Sequence, residues 1–243
     1  MTQPTSRFHR PLSALVALAL LFSGLLGVTQ PAQAAGSISL STVGVSYTQN
    51  FDTLAAAGTT NTLLPTGWDF AESGTNANTT YSAGTGSSNT GDTYSFGANM
   101  DTERAFGGLQ TGSLISTIGA SFTNTTGATI TDLAIGYTGE QWRLGMISRA
   151  DRLDFQLSTN AISLTNGIWT DRDSLDFTNP IKTAAAVGAL NGNALANSTP
   201  ISATISGLNV PPGATFLLPY RKSVRIWQWC GRIDGEPQAH RDA

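Results

Sequence analysis

Cysteine and histidine are almost missing from this chain of 243 residues, which has one Cys and two His. They are Cys230, His9 and His240, so the span from Ala35 to Phe216 contains neither residue type. That absence excludes Ser-His-Asp and Cys-His catalysis, histidine-ligated zinc and histidine general bases from the span. It also excludes a disulfide framework, so the span must be held by an apolar core, and about 180 residues are enough to bury one. Cations are scarce as well. Between Ala35 and Phe216 they are Arg104, Arg143, Arg149, Arg152, Arg172 and Lys182, and the acids outnumber them about two to one. Phosphate contacts need clustered Lys or Arg, so this domain is not expected to bind nucleic acid. Helical periodicity longer than two turns is absent, and no internal repeat of fixed period occurs.

What is present begins with an export signal at residues 1–34. Arg7, His9 and Arg10 form a basic start, Leu12 to Val28 is an almost uncharged apolar run, and Ala32-Gln-Ala34 supplies small residues for a signal peptidase. The run is near the lower length limit for a membrane anchor, but the small-residue site favours cleavage. The mature protein then begins near Ala35, has no membrane segment and acts outside the cytoplasm, secreted or at the cell surface.

The mature chain is rich in Gly, Thr, Ser and Asn and reads as an all-β domain of roughly ten short strands from 35 to 216. Leu114, Ile118, Ala120 and Phe122 lie at even spacing, as do Leu133, Ile135 and Tyr137, and then Leu153, Phe155 and Leu157. Period-two alternation of this kind marks strands with one buried face, and antiparallel sheet. Asn124-Thr-Thr-Gly127 has the residues of a tight hairpin between the first two runs. Val43 to Phe51, Trp68-Asp-Phe70, Thr93 to Phe96, Arg104 to Phe106, Gly167-Ile-Trp-Thr170, Leu175-Asp-Phe177 and Ile201 to Ile205 supply further strands, with Pro180 closing one of them. Gly188, Asn191 and Gly192 interrupt the alanines of 184–196 and favour a loop. Short strands with hairpin-length links predict an antiparallel two-sheet sandwich or jelly roll.

At about Leu217 the composition changes. Arg221, Lys222, Arg225, Arg232, Trp227, Trp229 and Cys230 crowd into one segment, so 217–243 is an atypical basic tail or the product of a reading-frame shift, the latter favoured. A shifted frame would leave the sandwich without its closing strand, and an unpaired edge invites aggregation.

Several segments carry a family resemblance. Tyr47-Thr-Gln-Asn-Phe-Asp52, Leu64-Pro-Thr-Gly-Trp68, Glu103-Arg-Ala-Phe-Gly107, Phe122 to Gly127, Tyr137-Thr-Gly-Glu-Gln-Trp-Arg143 and Leu175-Asp-Phe177 resemble secreted bacterial jelly-roll modules. Such modules occur in PEP-CTERM-type surface proteins and beside extracellular nucleases of the endonuclease/exonuclease/phosphatase superfamily. The resemblance covers roughly Val43 to Phe216. It implies a jelly roll whose last strands are an aromatic Trp-containing strand and a closing strand with paired aspartates, and this chain departs from it there.

The densest chemistry is Gly139-Glu-Gln-Trp-Arg143 at a strand end. Glu140, Trp142 and Arg143 could form a sugar platform, the indole stacking on a pyranose while the charged groups bond hydroxyls. The competing reading is that Trp142 closes the core while Glu140 and Arg143 tie down loops. Glu103-Arg104 poses a similar choice, with an edge ion pair expected. Asp171, Asp173 and Asp176 suggest a calcium (Ca2+) site, since a hard cation wants several oxygens. They lack the EF-hand spacing, and a solvated acidic turn is the competing reading. Glu72, Glu103 and Glu140 are available for a glycosidase pair, but nothing in their spacing makes two of them converge. The expectation is a secreted non-catalytic β-sandwich module for surface or matrix attachment, with polysaccharide as its partner. The alternatives are the accessory part of a truncated extracellular nuclease or other hydrolase, and a purely structural surface protein.

Overall fold

A computed structural model describes residues 36–184 and 186–221, together with the backbone of 229–236. The export signal expected at 1–34 lies outside the described residues, as do 222–228 and 237–243 of the tail. The first half of the chain supplies β1 (Ile38–Leu40), β2 (Tyr47–Gln49), β3 (Trp68–Ser73), β4 (Ser82–Gly84), β5 (Asp92–Phe96), β6 (Ala105–Leu109), β7 (Ile115–Asn124) and β8 (Leu133–Glu140). The second half supplies β9 (Arg143–Leu144), β10 (Arg152–Leu157), β11 (Thr170–Asp171), β12 (Phe177–Thr178), β13 (Gly188–Ala189), β14 (Ser198–Ile205), β15 (Thr215–Arg221) and β16 (Trp229–Glu236).

These strands form two seven-stranded sheets and a small two-stranded one in which β13 pairs with β9. The first runs β1-β7-β15-β10-β11, with β3 also on β7 and β12 also on β10; the second runs β14-β8-β16-β6-β5-β4, with β2 also on β16. Most pairs are antiparallel, but β1 with β7 and β4 with β5 are parallel. The domain is therefore all-β, a two-sheet sandwich. Among the described residues no helix is long and apolar enough to cross a membrane.

The even-spaced apolar residues do face one core. Leu133, Ile135 and Tyr137 from β8 meet Phe155 and Leu157 from β10 and Phe216, Leu218 and Tyr220 from β15, all buried in one cluster. Trp68 and Phe106 join it, each with no exposed surface. At about 1.5–3 kcal/mol per fully buried large apolar side chain, this layer is the main favourable term in folding.

Asn124 to Gly127 does not make the expected hairpin. β7 pairs with β15, β3 and β1, whereas β8 pairs with β14 and β16, so the link from 125 to 132 crosses between the sheets. Asn124 holds this arch from inside and has no exposed surface. Its Nδ2 donates to the carbonyls of Ala128 and Val210 (2.8 Å each), and its Oδ1 accepts from Thr126 N (3.0 Å) and Thr126 Oγ1 (2.8 Å).

The compositional break at Leu217 is not a structural break. β15 runs straight through it, with Phe216, Leu218 and Tyr220 on the core side. The closing position in the second sheet is taken by β16, which pairs with β8 over Cys230 to Glu236 and with β6 over Trp229 to Gly231.

Replacing Asn124 with Ala removes four hydrogen bonds at a fully buried position, although Val210 O keeps Ile130 N and Ala128 O keeps Thr126 Oγ1. We expect a loss of about 2 kcal/mol by urea unfolding, since each net hydrogen bond is worth roughly 0.5–1.5 kcal/mol. A loss under about 0.5 kcal/mol would show that water replaces the side chain in the arch.

Candidate functional site

Glu140, Trp142 and Arg143 sit together where β8 ends, but the indole is not presented to a ligand. Trp142 is 2% exposed and lies parallel to Phe96 (centroids 6.3 Å apart, planes at 11°), which in turn stacks on Tyr94 at 4.9 Å. Gly192 lies against its far side so closely that a Cβ there would be 2.2 Å from the indole nitrogen. An indole covered in this way offers no face to a pyranose, which corrects the platform expected at Trp142. Its Nε1 donates to Glu140 Oε2 (2.9 Å). Gln141, 1% exposed, accepts from Ile181 N (2.8 Å) and donates to Ile181 O (3.0 Å), and Arg143 Nη1 donates to the carbonyls of Gly86 (3.0 Å) and Ser87 (3.1 Å). The segment thus ties the loops around 86 and 181–192 to the second sheet.

Glu140 and Glu103 lie within electrostatic reach of each other. The carboxyl of Glu140 is pushed up to about 7 from its ordinary 4.5, mainly by burial, with the charge of Glu103 adding and the indole N–H opposing. Glu103 is also a loop tether, because its Oε2 accepts from Asn193 Nδ2 (2.5 Å) in the loop that carries Gly192. Arg104 does not sit at an edge. It is 2% exposed, and its guanidinium donates to Ser95 Oγ (2.8 Å), Ser95 O and Ala98 O (3.1 Å).

The three aspartates are not brought together as cation ligands. Asp171 is exposed and accepts from Gln156 Nε2 (2.6 Å), and Asp173 is exposed at the start of a 3-10 turn. Asp176 accepts from Phe155 N (2.9 Å) and lies 3.3 Å from Arg152 Nη1. Among the described residues no group of three His, Cys, Asp or Glu could hold a metal ion. The calcium expectation at Asp171, Asp173 and Asp176 is corrected accordingly: Asp171 and Asp176 bond to β10, and Asp173 is exposed on the turn between them.

A different surface gathers exposed chemistry, on the outer face of the first sheet. The chain between β10 and β11 folds back across it, and Ala161, Leu164 and Leu217 form a small apolar cluster with Ala71 and Trp169 against it. Among the described tryptophans, Trp68 and Trp142 are buried and Trp169 keeps exposed surface. Arg221 stacks on the Trp169 ring, 4.6 Å from its centroid, and donates from Nη2 to Leu164 O. Burial holds the Arg221 guanidinium below its ordinary value. Beside this stack is a cavity of about 90 Å³, walled by Leu164 and Leu217 and edged by Asp69, Ser121 and Ser163. Ile162, 84% exposed, and Ile168, 73% exposed, stand at its rim and on the same loop. The sequence places Trp169 on a strand, but the strand here, β11, begins one residue later at Thr170.

No protein-family model matches the chain, and no curated protein matches it. Among solved structures the chain is similar to the K2 cleaved adhesin domain of Lys-gingipain, with a TM-score of 0.39 and 15% identity, over 78% of this chain and 95% of that one. It is also similar to the K3 cleaved adhesin domain of Lys-gingipain from Porphyromonas gingivalis W83, with a TM-score of 0.39 and 10% identity, over 70% of this chain and 90% of that one. A structure described as "CBM4 structure and function" gives a TM-score of 0.29 and 10% identity, over 69% of this chain and 90% of that one. The likeness is one of fold alone.

A carboxyl whose folded value is raised contributes stability that is complete below its unfolded value and is lost as pH climbs through the folded one, for Glu140 between about 4.5 and about 7. Glu140→Gln keeps an acceptor for the indole and removes the charge. At pH 8 it should be more stable than the parent by about 1 kcal/mol, allowing for the partial exposure of the group, and at pH 4.5 equal to it. Urea midpoints at the two pH values check this, and a variant weaker at both would mean that the amide cannot replace the tether.

Proposed function

We propose that this chain is a secreted, non-catalytic module that attaches to polysaccharide at the cell surface or in the extracellular matrix. The observation that carries the reading is Trp169, half-exposed and braced by Arg221 beside a polar-edged cavity on the outer face of a sheet. An indole held rigid at a surface can stack on the apolar face of a sugar ring, and carboxylate and hydroxyl groups at its margin can bond ring hydroxyls. Asp69, Ser121 and Ser163 line the cavity, which shares Leu164 and Leu217 with the cluster around the indole. The export-type start of the chain supports a place outside the cytoplasm, and the lack of His and Cys from 35 to 216 supports binding rather than acyl or metal-assisted hydrolysis.

The test is a titration of the purified chain against a panel of soluble polysaccharides by calorimetry, with reducing-end release followed in parallel. Saturable binding is expected for at least one member, weakened about tenfold or more in Trp169→Ala, the loss of one stacking contact. The same binding should survive in Trp142→Phe, because that ring is enclosed. Release of reducing ends from any glycan, or binding indifferent to Trp169, would overturn the reading. A complete lack of binding would favour a structural surface protein.

A further inference from the structure

Glu72 and Asp92 belong to different sheets and meet at one edge of the sandwich. Glu72 lies on β3 in the first sheet, and Asp92 opens β5 in the second. A single backbone donor reaches both, since Thr93 N lies 2.8 Å from Glu72 Oε1 and 2.9 Å from Asp92 Oδ1. Thr93 Oγ1 adds a bond to Glu72 Oε1 (2.7 Å) and lies 2.7 Å from Ser116 Oγ on β7, and Ser82 Oγ on β4 donates to Asp92 Oδ2. The other oxygen of Glu72 accepts from Asn78 N (3.0 Å) and so pins the loop between β3 and β4. The two carboxyl groups thus converge on one N–H donor and feel each other's charge.

Two carboxylates that converge on one N–H repel each other, and a proton on either one relieves the repulsion. We propose that Glu72 and Asp92 form a proton-operated latch between the two sheets, closed while one of the pair is protonated and released when both are ionised. No described cation stands by to take the proton's place. The described ion pairs involve Arg149 and Arg152, and neither reaches this edge. The titratable neighbour facing the pair is Tyr94, next along β5, whose phenol feels both carboxyl charges and, from β9, Arg143. The remaining partners, from β4, β7 and the β3–β4 loop, are the neutral Ser82, Ser116 and Asn78. Burial raises both carboxyls above their ordinary values, which is the direction a shared proton requires. Stability from the latch is therefore complete in acid, below the unfolded values, and is lost as pH rises through the raised folded ones.

The experiment uses the full chain in a Glu140→Gln background, so that Glu140 does not contribute, while Asp176, also raised, contributes alike to parent and variants. Urea midpoints and Thr93 amide protection factors are compared at pH 4.5, 6 and 8. In this background the midpoint should fall from pH 4.5 to pH 8, and the Thr93 protection should drop several-fold with it. Glu72→Gln keeps the acceptor for Thr93 and removes one of the two charges, so its profile should be flatter and its midpoint at pH 8 higher. Asp92→Asn, tested alongside, should flatten it too. Equal pH slopes in the parent and both variants would overturn the proposal. So would added calcium raising the parent midpoint at pH 8 but not that of Glu72→Gln, because the pair would then hold a cation rather than a proton.

Discussion

The sandwich depends on aromatic rings packed edge to face between its two sheets. Phe51 meets Trp68 at 4.7 Å with planes at 80°, and Phe106 receives Phe70 at 6.1 Å and Tyr81 at 5.9 Å. At the other end Tyr220 meets both Tyr137 at 5.1 Å and Phe155 at 4.9 Å, again near perpendicular. Such pairs are worth roughly 0.5–1.5 kcal/mol each beyond the area they bury. In a span without disulfides they set the separation and register of the sheets. The phenols enter this layer only because they are hydrogen-bonded or kept neutral: Tyr137 Oη donates to Leu175 O, and burial raises the phenols of Tyr137 and Tyr220 above their ordinary value.

With the inner faces fixed, each outer face becomes a separate problem. Both are solved by laying a loop over an aromatic side chain. On the second sheet Tyr94, Phe96 and Trp142 are enclosed by loops that bond to Arg143, Glu103 and Gln141. On the first sheet the 159–169 loop is anchored by Leu164 and by the Arg221 stack, yet it leaves Trp169 partly open. The first arrangement completes a core, whereas the second leaves an indole partly open. The difference is physical: Gly192 lets backbone lie flat against Trp142, and among the described residues nothing encloses Trp169 as fully.

This contrast marks what could be read from the chain and what could not. The alternation of Leu133, Ile135 and Tyr137, and of Leu153, Phe155 and Leu157, correctly told which side of each strand is inside. A period of two says nothing about which strand lies alongside, so Asn124 to Gly127 read as a hairpin although it arches between sheets. Gly127 does take the positive φ (81°) that its sequence implied, but an arch and a hairpin both use such a residue. The parallel edge pairs were hidden for the same reason. Whether Trp142 or Trp169 is exposed depends on a loop distant in sequence, and a cluster of polar residues around an indole looks the same when it serves a ligand and when it ties loops. The composition change at Leu217 was real, but Phe216, Leu218 and Tyr220 still alternate inward, and that pattern decides the strand.

The scarcity of cations, the first thing visible in the composition, returns as a property of the folded molecule. A sandwich of short strands must bring some loop and edge carboxylates against its walls, and here most find amide or hydroxyl donors instead of guanidinium or ammonium groups. Glu72 and Asp92 meet Thr93, Ser82 and Asn78, and Glu140 meets an indole N–H. Such donors offset only part of the desolvation that each charge suffers, so burial is the leading cause and the result is upward in every case. Asp176 shows how far one cation goes: Arg152 opposes the shift, yet burial still prevails. Glu72, Asp92, Glu140 and Asp176 therefore hold protons more tightly folded than unfolded, and the linkage of these four runs opposite to that of ion-paired native carboxylates: their contribution is complete in acid and is lost as pH rises through the raised values.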